Sequence, residues 1–133
     1  MGRGRVLVVD DEADLRKSVR LTLTKAGYDV VEAEDGEKAI EAVRSGDNPL
    51  MLDTIIMDLM MPKVNGVEAI SYIRSQFPSV PILVLTGTPN IGNMNELYKK
   101  GIVDYLVKPI APDKLVAAVE KAAKEWHLKS LQG

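Results

Sequence analysis

The amino-acid sequence predicts an α/β fold with a five-stranded parallel sheet that is doubly wound and carries five helices. Short aliphatic runs and amphipathic stretches alternate five times along the 133 residues. The aliphatic runs are continuous, which is typical of strands covered by helices on both faces. Strands that alternate with helices indicate a parallel sheet with right-handed crossovers. Acidic residues directly follow the first and third runs, which places them at the carboxyl edge of that sheet.

The aliphatic runs are predicted as the strands, and the stretches between them as the helices. The strands cover residues 6–9, 30–31, 55–57, 82–85 and 105–107. Gly27, Gly46 and Pro78 mark the ends of the first three helices, and Pro112 lies in the first turn of the last. Apolar residues recur at helical spacing in these four stretches: Leu15, Val19, Leu23 and Ala26; Ala39, Ile40 and Val43; Ile70, Ile73 and Phe77; Leu115, Val119, Ala122 and Trp126.

The fourth helix is the weakest of the five predictions. Gly92, Asn93 and Asn95 are poor helix formers, and the apolar stripe is little more than Met94 and Leu97. This segment is either an element able to move or an ordinary short surface helix. Between the second helix and the third strand, residues 46–49 are predicted as a loop.

Length and composition limit the classes of protein to which this chain can belong. The length and the 46% apolar content predict a single domain over 1–133, with a core at about 5–126 and residues 127–133 as a tail or truncated linker. The absence of cysteine excludes disulfides and thiolate metal sites, and a net charge of −2 disfavours direct nucleic-acid binding. No apolar run is long enough to span a membrane, and the basic start leads straight into a strand, unlike a signal peptide. A cytoplasmic location is therefore expected.

Three carboxylates are predicted to meet at the carboxyl edge of the sheet. Asp10 and Asp11 follow the first strand, and Asp58 follows the third. Open α/β sheets bind their ligands at this edge. Because three like charges repel one another, their meeting calls for a positive partner. A hard divalent cation that prefers oxygen ligands, such as Mg2+, fits that need.

Four short motifs occur in order, each at the end of a predicted strand. They are V-V-D-D-E at 8–12, M-D-L-M-M-P at 57–62, L-T-G at 85–87 and V-K-P at 107–109. With these motifs the chain resembles, from about residue 5 to about residue 126, the response-regulator receiver domains of bacterial two-component signalling. The resemblance implies a flavodoxin-like sheet with strand order 2-1-3-4-5, in which the ends of the first and third strands lie side by side.

The resemblance also implies roles for individual residues. Asp58 matches the phosphoacceptor, and Asp10 and Asp11 match the acidic pair that holds Mg2+. The backbone carbonyl of Met60 would be a further metal ligand, and Lys108 would pair with the phosphoryl group.

Two further residues match the family's switch. Thr86 would donate its hydroxyl to a phosphoryl oxygen, and Tyr105 matches the aromatic residue that moves inward when Thr86 moves. Simpler readings stay open for several of these residues. Asp11 could cap the first helix, Lys108 before Pro109 could be ordinary turn chemistry, Thr86 could be a strand-end hydroxyl, and Tyr105 could be plain core.

The function implied by the resemblance is a phosphorylation-dependent signalling switch. Such a domain is regulatory and catalyses only its own aspartyl phosphorylation and dephosphorylation. The implied phosphodonor is a histidine kinase or a phosphotransfer protein. An unidentified downstream protein would bind the face formed by the fourth helix, fifth strand and fifth helix, and a phosphorylation-dependent dimer is a further partner that the resemblance allows.

Two other functional classes fit the sequence less well. An aspartyl-phosphate hydrolase of the haloacid dehalogenase kind would need an acid two residues after Asp58, and Met60 cannot transfer protons. A nucleotide or flavin binder would need a Gly-rich or Ser/Thr-rich loop after the first strand. The acidic residues at 10–12 would repel phosphate there.

Overall fold

Five parallel strands form one sheet in the order β2-β1-β3-β4-β5. The computed structural model describes residues 4–59 and 66–132, including all side chains in these ranges except those of 49, 50 and 126–132. The strands are β1 (Gly4–Val9), β2 (Tyr28–Ala33), β3 (Leu52–Met57), β4 (Ile82–Thr86) and β5 (Asp104–Val107). The predicted fold class and strand order are therefore confirmed.

Five helices connect or follow the strands, as predicted. They are α1 (Ala13–Lys25), α2 (Gly36–Arg44), α3 (Gly66–Gln76), α4 (Ile91–Lys99) and α5 (Pro112–Gln132). The Asp35 side chain accepts a hydrogen bond from the Lys38 amide at the start of α2, and the Asn90 side chain accepts one from the Asn93 amide at the start of α4. Local capping thus compensates for the weak helix propensity of the α4 sequence.

The two faces of the sheet carry separate apolar cores, which is the doubly wound arrangement. On one face, α1 and α5 pack through Val19, Leu23 and Val119 against residues of the inner strands such as Val8 and Leu83. On the other face, α2, α3 and α4 pack through Val43, Ile70 and Leu97 against the strand residues that point the opposite way, including Leu7, Met57 and Val84. The inner strands β1, β3 and β4 are thereby buried on both sides, as their continuous aliphatic runs predict.

The segment predicted as a loop, residues 46–49, runs into a single turn of helix over Asn48–Met51, so the loop prediction is wrong for residues 48 and 49. Pro49 lies in the first turn, where its fixed backbone angle suits a helix. The Asn48 side chain donates to the Ala42 carbonyl at 2.7 Å and accepts from Arg5 at 2.8 Å. These contacts hold the turn against the end of α2 and the start of β1.

One arginine ties the ends of two helices together. Arg74 in α3 donates to the Pro78 carbonyl at 2.7 Å, and it also donates to the Lys100 and Gly101 carbonyls at 3.1 and 3.2 Å. The carboxyl end of α4 is therefore fixed to the carboxyl end of α3. Within the described residues, no helix is long and apolar enough to cross a membrane.

Candidate functional site

The strand order brings the carboxyl ends of β1 and β3 together. Val9 and Met57 are register partners, and the Asp58 amide donates to the Val9 carbonyl at 3.0 Å. Asp10, Asp11 and Asp58 consequently converge, with one carboxylate oxygen from each lying within 4.8 Å of the other two. Asp10 and Asp58 are buried, whereas Asp11 is exposed. The predicted meeting of the three acids is present.

Asp10 is the most firmly held of these acids. Its Oδ1 accepts a hydrogen bond from the Glu12 amide at 2.9 Å, and its Oδ2 forms an ion pair with Lys108 Nζ at 2.8 Å. Glu12, and not Asp11, occupies the N-cap position of α1. The reading of Asp11 as the helix cap is therefore wrong, and the Asp11 side chain is left for the cluster.

Lys108 places a positive charge between two of the acids. Its Nζ lies 2.8 Å from Asp10 Oδ2 and 3.4 Å from Asp58 Oδ2. The backbone amide of Lys108 donates to the Thr86 carbonyl at 2.9 Å, which extends the β4–β5 pairing to the edge of the site, and the peptide bond to Pro109 is cis. Burial alone would lower the pKa of Lys108, but the hydrogen bonds and charges of Asp10 and Asp58 outweigh it and raise that pKa. The ammonium therefore stays protonated at neutral pH.

The donor set suits a hard divalent cation. All three side chains offer carboxylate oxygens, the ligand type that Mg2+ prefers. Oxygens about 2.1 Å from a shared Mg2+ lie at most about 4.2 Å apart, and the three carboxylates already approach to within 4.8 Å. A small inward movement of these side chains would bring all three oxygens within reach of one cation. Met60, whose carbonyl is a further ligand by resemblance, lies outside the described residues.

Thr86 and Tyr105 both hold the loop that leads from β4 into α4. Thr86 is buried, and its Oγ1 accepts a hydrogen bond from the Thr88 amide at 3.2 Å. Tyr105 is buried as well, and its Oη accepts one from the Asn90 amide at 3.2 Å. The Tyr105 hydroxyl thus has a specific partner, which goes beyond the plain-core reading. Because Asn90 is the N-cap of α4, this bond joins β5 directly to the start of that helix.

Comparison with known proteins gives one consistent result. The family model for the response regulator receiver domain matches residues 6–120. The chain belongs to the response-regulator receiver family. The chemotaxis protein CheY of Thermotoga maritima is 38% identical over 125 residues, which cover 93% of this chain and 100% of that protein. The response regulator MprA of Mycolicibacterium vanbaalenii is 39% identical over 113 residues, which cover 85% of this chain and 47% of that protein.

Solved receiver structures agree with this placement. A receiver domain protein from Clostridium thermocellum superposes with a TM-score of 0.87 at 26% identity, over 94% of this chain and 98% of that one. The chemotaxis protein CheY4 of Vibrio cholerae gives a TM-score of 0.80 at 34% identity, over 90% of this chain and 98% of its own. The receiver domain spans the full length of its Thermotoga relative but about half the length of the MprA regulators. It is a regulatory domain of two-component signalling.

The receiver domain also contains site residues that sequence reasoning missed. Arg16 donates to the Asp10 carbonyl at 2.6 Å and to Glu32 Oε1 at 3.1 Å. Gly66 donates its amide to the Leu59 carbonyl at 3.1 Å, and a Cβ at position 66 would overlap the backbone of Asp58. In the sequence, Arg16 resembles any polar residue of a surface helix. Its spacing from Glu32 does not indicate that the two side chains are in contact. Gly66 could have been suspected, since a glycine at the start of a helix can indicate close backbone approach.

Proposed function

We propose that this receiver domain accepts a phosphoryl group on Asp58, with Mg2+ bound, from a histidine kinase or a phosphotransfer protein. The observation that carries the proposal is the arrangement around Asp58. Three carboxylates have oxygens within 4.8 Å of one another, and the Lys108 ammonium lies 3.4 Å from Asp58. Structural ion pairs alone do not call for three acids at one sheet edge, whereas phosphoryl transfer needs positive charge beside an aspartate nucleophile.

The proposed reaction transfers one phosphoryl group between two side chains. A carboxylate oxygen of Asp58 forms a bond to phosphorus while the bond from phosphorus to the donor's histidine nitrogen breaks. The products are an acyl phosphate on Asp58 and a histidine that takes up a proton from solvent. Asp10 and Asp11, with the carbonyl of Met60, would hold Mg2+, which supplies positive charge to the transferring oxygens when bound.

The residues around Asp58 have separate parts in this proposal. Lys108 pairs with a phosphoryl oxygen, which requires its ammonium to swing from Asp10 toward the new group. Thr86 donates a hydrogen bond from its hydroxyl to another phosphoryl oxygen. Tyr105 and the face formed by α4, β5 and α5 then present a changed surface to a downstream protein or to a second copy of the domain. Residues 5–126 are proposed as the receiver core.

Incubation with acetyl phosphate and Mg2+, followed by intact-protein mass measurement, tests the proposal. We expect one added phosphoryl group that is lost at alkaline pH, because acyl phosphates hydrolyse there. Asp58→Ala should abolish the addition, and Asp58→Asn should do the same while preserving the shape of the side chain. The exposed acid Asp14 provides the control, since Asp14→Ala should label as the parent does. Full labelling of both Asp58 variants would refute the proposal.

A further inference from the structure

Arg16 links three elements next to the proposed metal site. It lies on α1, its Nη1 donates to the backbone carbonyl of Asp10 at 2.6 Å, and its Nε donates to Glu32 on β2 at 3.1 Å. Its side chain is only 17% exposed, so water competes little for these contacts. The contact to Asp10 is short, as charge-assisted hydrogen bonds are. Arg16 is thus held in place by Glu32, and it binds the backbone carbonyl of Asp10 just past the end of β1.

The carbonyl that Arg16 grips belongs to the peptide group between Asp10 and Asp11. A peptide group is planar, so fixing the direction of its carbonyl oxygen also fixes the direction in which the chain enters Asp11. Asp11 is exposed, and packing therefore does not hold its side chain in place. The hydrogen bond from Arg16 restrains this peptide group, and through it the position of Asp11.

We propose that Arg16, oriented by Glu32, is a positioning residue for the metal-binding acids. It fixes the peptide between Asp10 and Asp11 so that both carboxylates face Asp58 in an arrangement ready for a cation. The inference rests on the proposed function, because it assigns Arg16 to the same Mg2+ site. Residues that orient metal ligands in this way typically contribute about 10–100-fold to metal affinity or activity.

If Arg16 acted only through its positive charge, electrostatics would predict the opposite effect on Mg2+ affinity. Arg16 carries a positive charge close to a site for a divalent cation, so its charge alone repels the cation. If Arg16 contributed only charge, replacing it with a neutral side chain would tighten Mg2+ binding. If Arg16 positions the ligands, the same replacement weakens binding. The sign of the change therefore separates the two roles.

Isothermal titration of the whole chain with Mg2+ at constant ionic strength tests the inference. We expect Arg16→Met to raise the Kd for Mg2+ about tenfold or more. Arg20→Met is the matched control, because Arg20 pairs with the same Glu32 at 3.0 Å but is more exposed, at 38%. Loss of Arg20 should leave the Kd unchanged or slightly lower. Arg16→Lys keeps the positive charge, but its single ammonium cannot donate to both Asp10 and Glu32 as the planar guanidinium does. Its Kd should therefore lie between those of the parent and Arg16→Met.

Labelling by acetyl phosphate completes the test. At Mg2+ concentrations that saturate each variant, Arg16→Met should be labelled as fully as the parent, because positioning affects affinity and leaves Asp58 itself intact. If Arg16→Met and Arg16→Lys both bind Mg2+ as tightly as the parent, or more tightly, the positioning role is overturned while the proposed function stands. If the parent itself neither binds Mg2+ nor is labelled, the proposed function fails and the inference fails with it.

Discussion

Lys108 is the residue that most defines the resting site. Its ammonium bridges Asp10 and Asp58, at 2.8 and 3.4 Å, and so offsets part of the negative charge of the cluster. The pKa of Lys108 is raised because the charged form gains more from the two carboxylates than it loses through burial. A raised folded-state pKa means that the charged lysine favours the folded state. This contribution is complete below the unfolded-state pKa of about 10.4 and disappears as pH rises through the raised value.

Replacing Lys108 should therefore lower stability in a pH-dependent way. In metal-free buffer at about pH 7, Lys108→Met should reduce the free energy of unfolding by about 1–3 kcal/mol, because two buried carboxylates lose their partner. The difference from the parent should begin to shrink above about pH 10.4, where the lysine of the unfolded chain loses its proton, and should vanish as pH passes the raised folded-state pKa of Lys108. Urea unfolding across this range measures it, with exposed Lys99→Met as a control that should stay near the parent. Equal stability of Lys108→Met and the parent at neutral pH would contradict the ion-pair argument.

At the scale of single residues, the sequence identified the acids better than their partners. Asp10, Asp11 and Asp58 were predictable because each directly follows an aliphatic run, and parallel strands end at one edge. The ion pair from Lys108 to Asp10 was not predictable, since it depends on side chains reaching across strands that are far apart in sequence. The same holds for Arg16, whose two partners lie just past the end of β1 and on β2.

At the scale of elements, α4 is held differently at its two ends. Arg74 fixes the carboxyl end through the Lys100 and Gly101 carbonyls. The amino end depends on the Tyr105 hydroxyl, which accepts a hydrogen bond from the Asn90 amide, and on the Asn90 side chain, which caps the first turn. Ile91, the first residue of the helix, is 78% exposed. A change at Thr86 or Tyr105 is thus expected to enter α4 at its amino end and to be sensed along the helix as far as the buried Leu97.

Thr86 should couple phosphorylation to that end of α4. When beryllofluoride stands in for the phosphoryl group, the Thr86 hydroxyl should donate a hydrogen bond to it, and the amide resonances of the loop and of Leu97 should shift. In Thr86→Ala the resonances near Asp58 should still shift, whereas those at Leu97 should not, because a ligand biases two states only through a differential contact. Two-dimensional NMR of the amide groups measures both sets.

Two further variants make the coupling test sharper. Tyr105→Phe removes the hydroxyl that accepts the Asn90 amide, so the Leu97 response should differ from that of the parent even though Asp58 still binds beryllofluoride. Thr88→Ser keeps both the backbone amide and the hydroxyl that contact Thr86 Oγ1, and it should respond as the parent does. A full Leu97 response in Thr86→Ala would show that the Thr86 hydroxyl does not carry the signal.

For the helices and strands, the sequence predicts some features and misses others. The weak apolar stripe of α4 was read correctly, with Leu97 buried and Met94 partly buried. The helical turn at Asn48–Met51 was missed, because Asn and Pro together indicate a loop and the contact from Asn48 to Ala42 is a tertiary one. The strand order came from the family resemblance, since alternation of strands and helices fixes parallel pairing but not which strands are neighbours.

At the scale of the whole molecule, cation binding should stabilise the fold. A ligand that binds only the folded state adds about 2.7 kcal/mol at a hundredfold excess over its dissociation constant. The parent should gain about this much from Mg2+ in urea unfolding at constant ionic strength, and Asp11→Ala should lose most of the gain. Asp14→Ala, which removes an exposed acid outside the cluster, should gain as the parent does. Equal gains in the parent and Asp11→Ala would count against a role for Asp11.

The bridge made by Lys108 has a consequence for the order of events in a cell. A cluster of acids with no internal cation would make the metal-free fold less stable, because the carboxylates would repel one another. Here β5 delivers a cation of its own to the ends of β1 and β3, so the domain can reach its native topology before any Mg2+ arrives. Metal supply would then govern whether the finished domain is ready to receive a signal, and the number of finished domains would be set by synthesis alone.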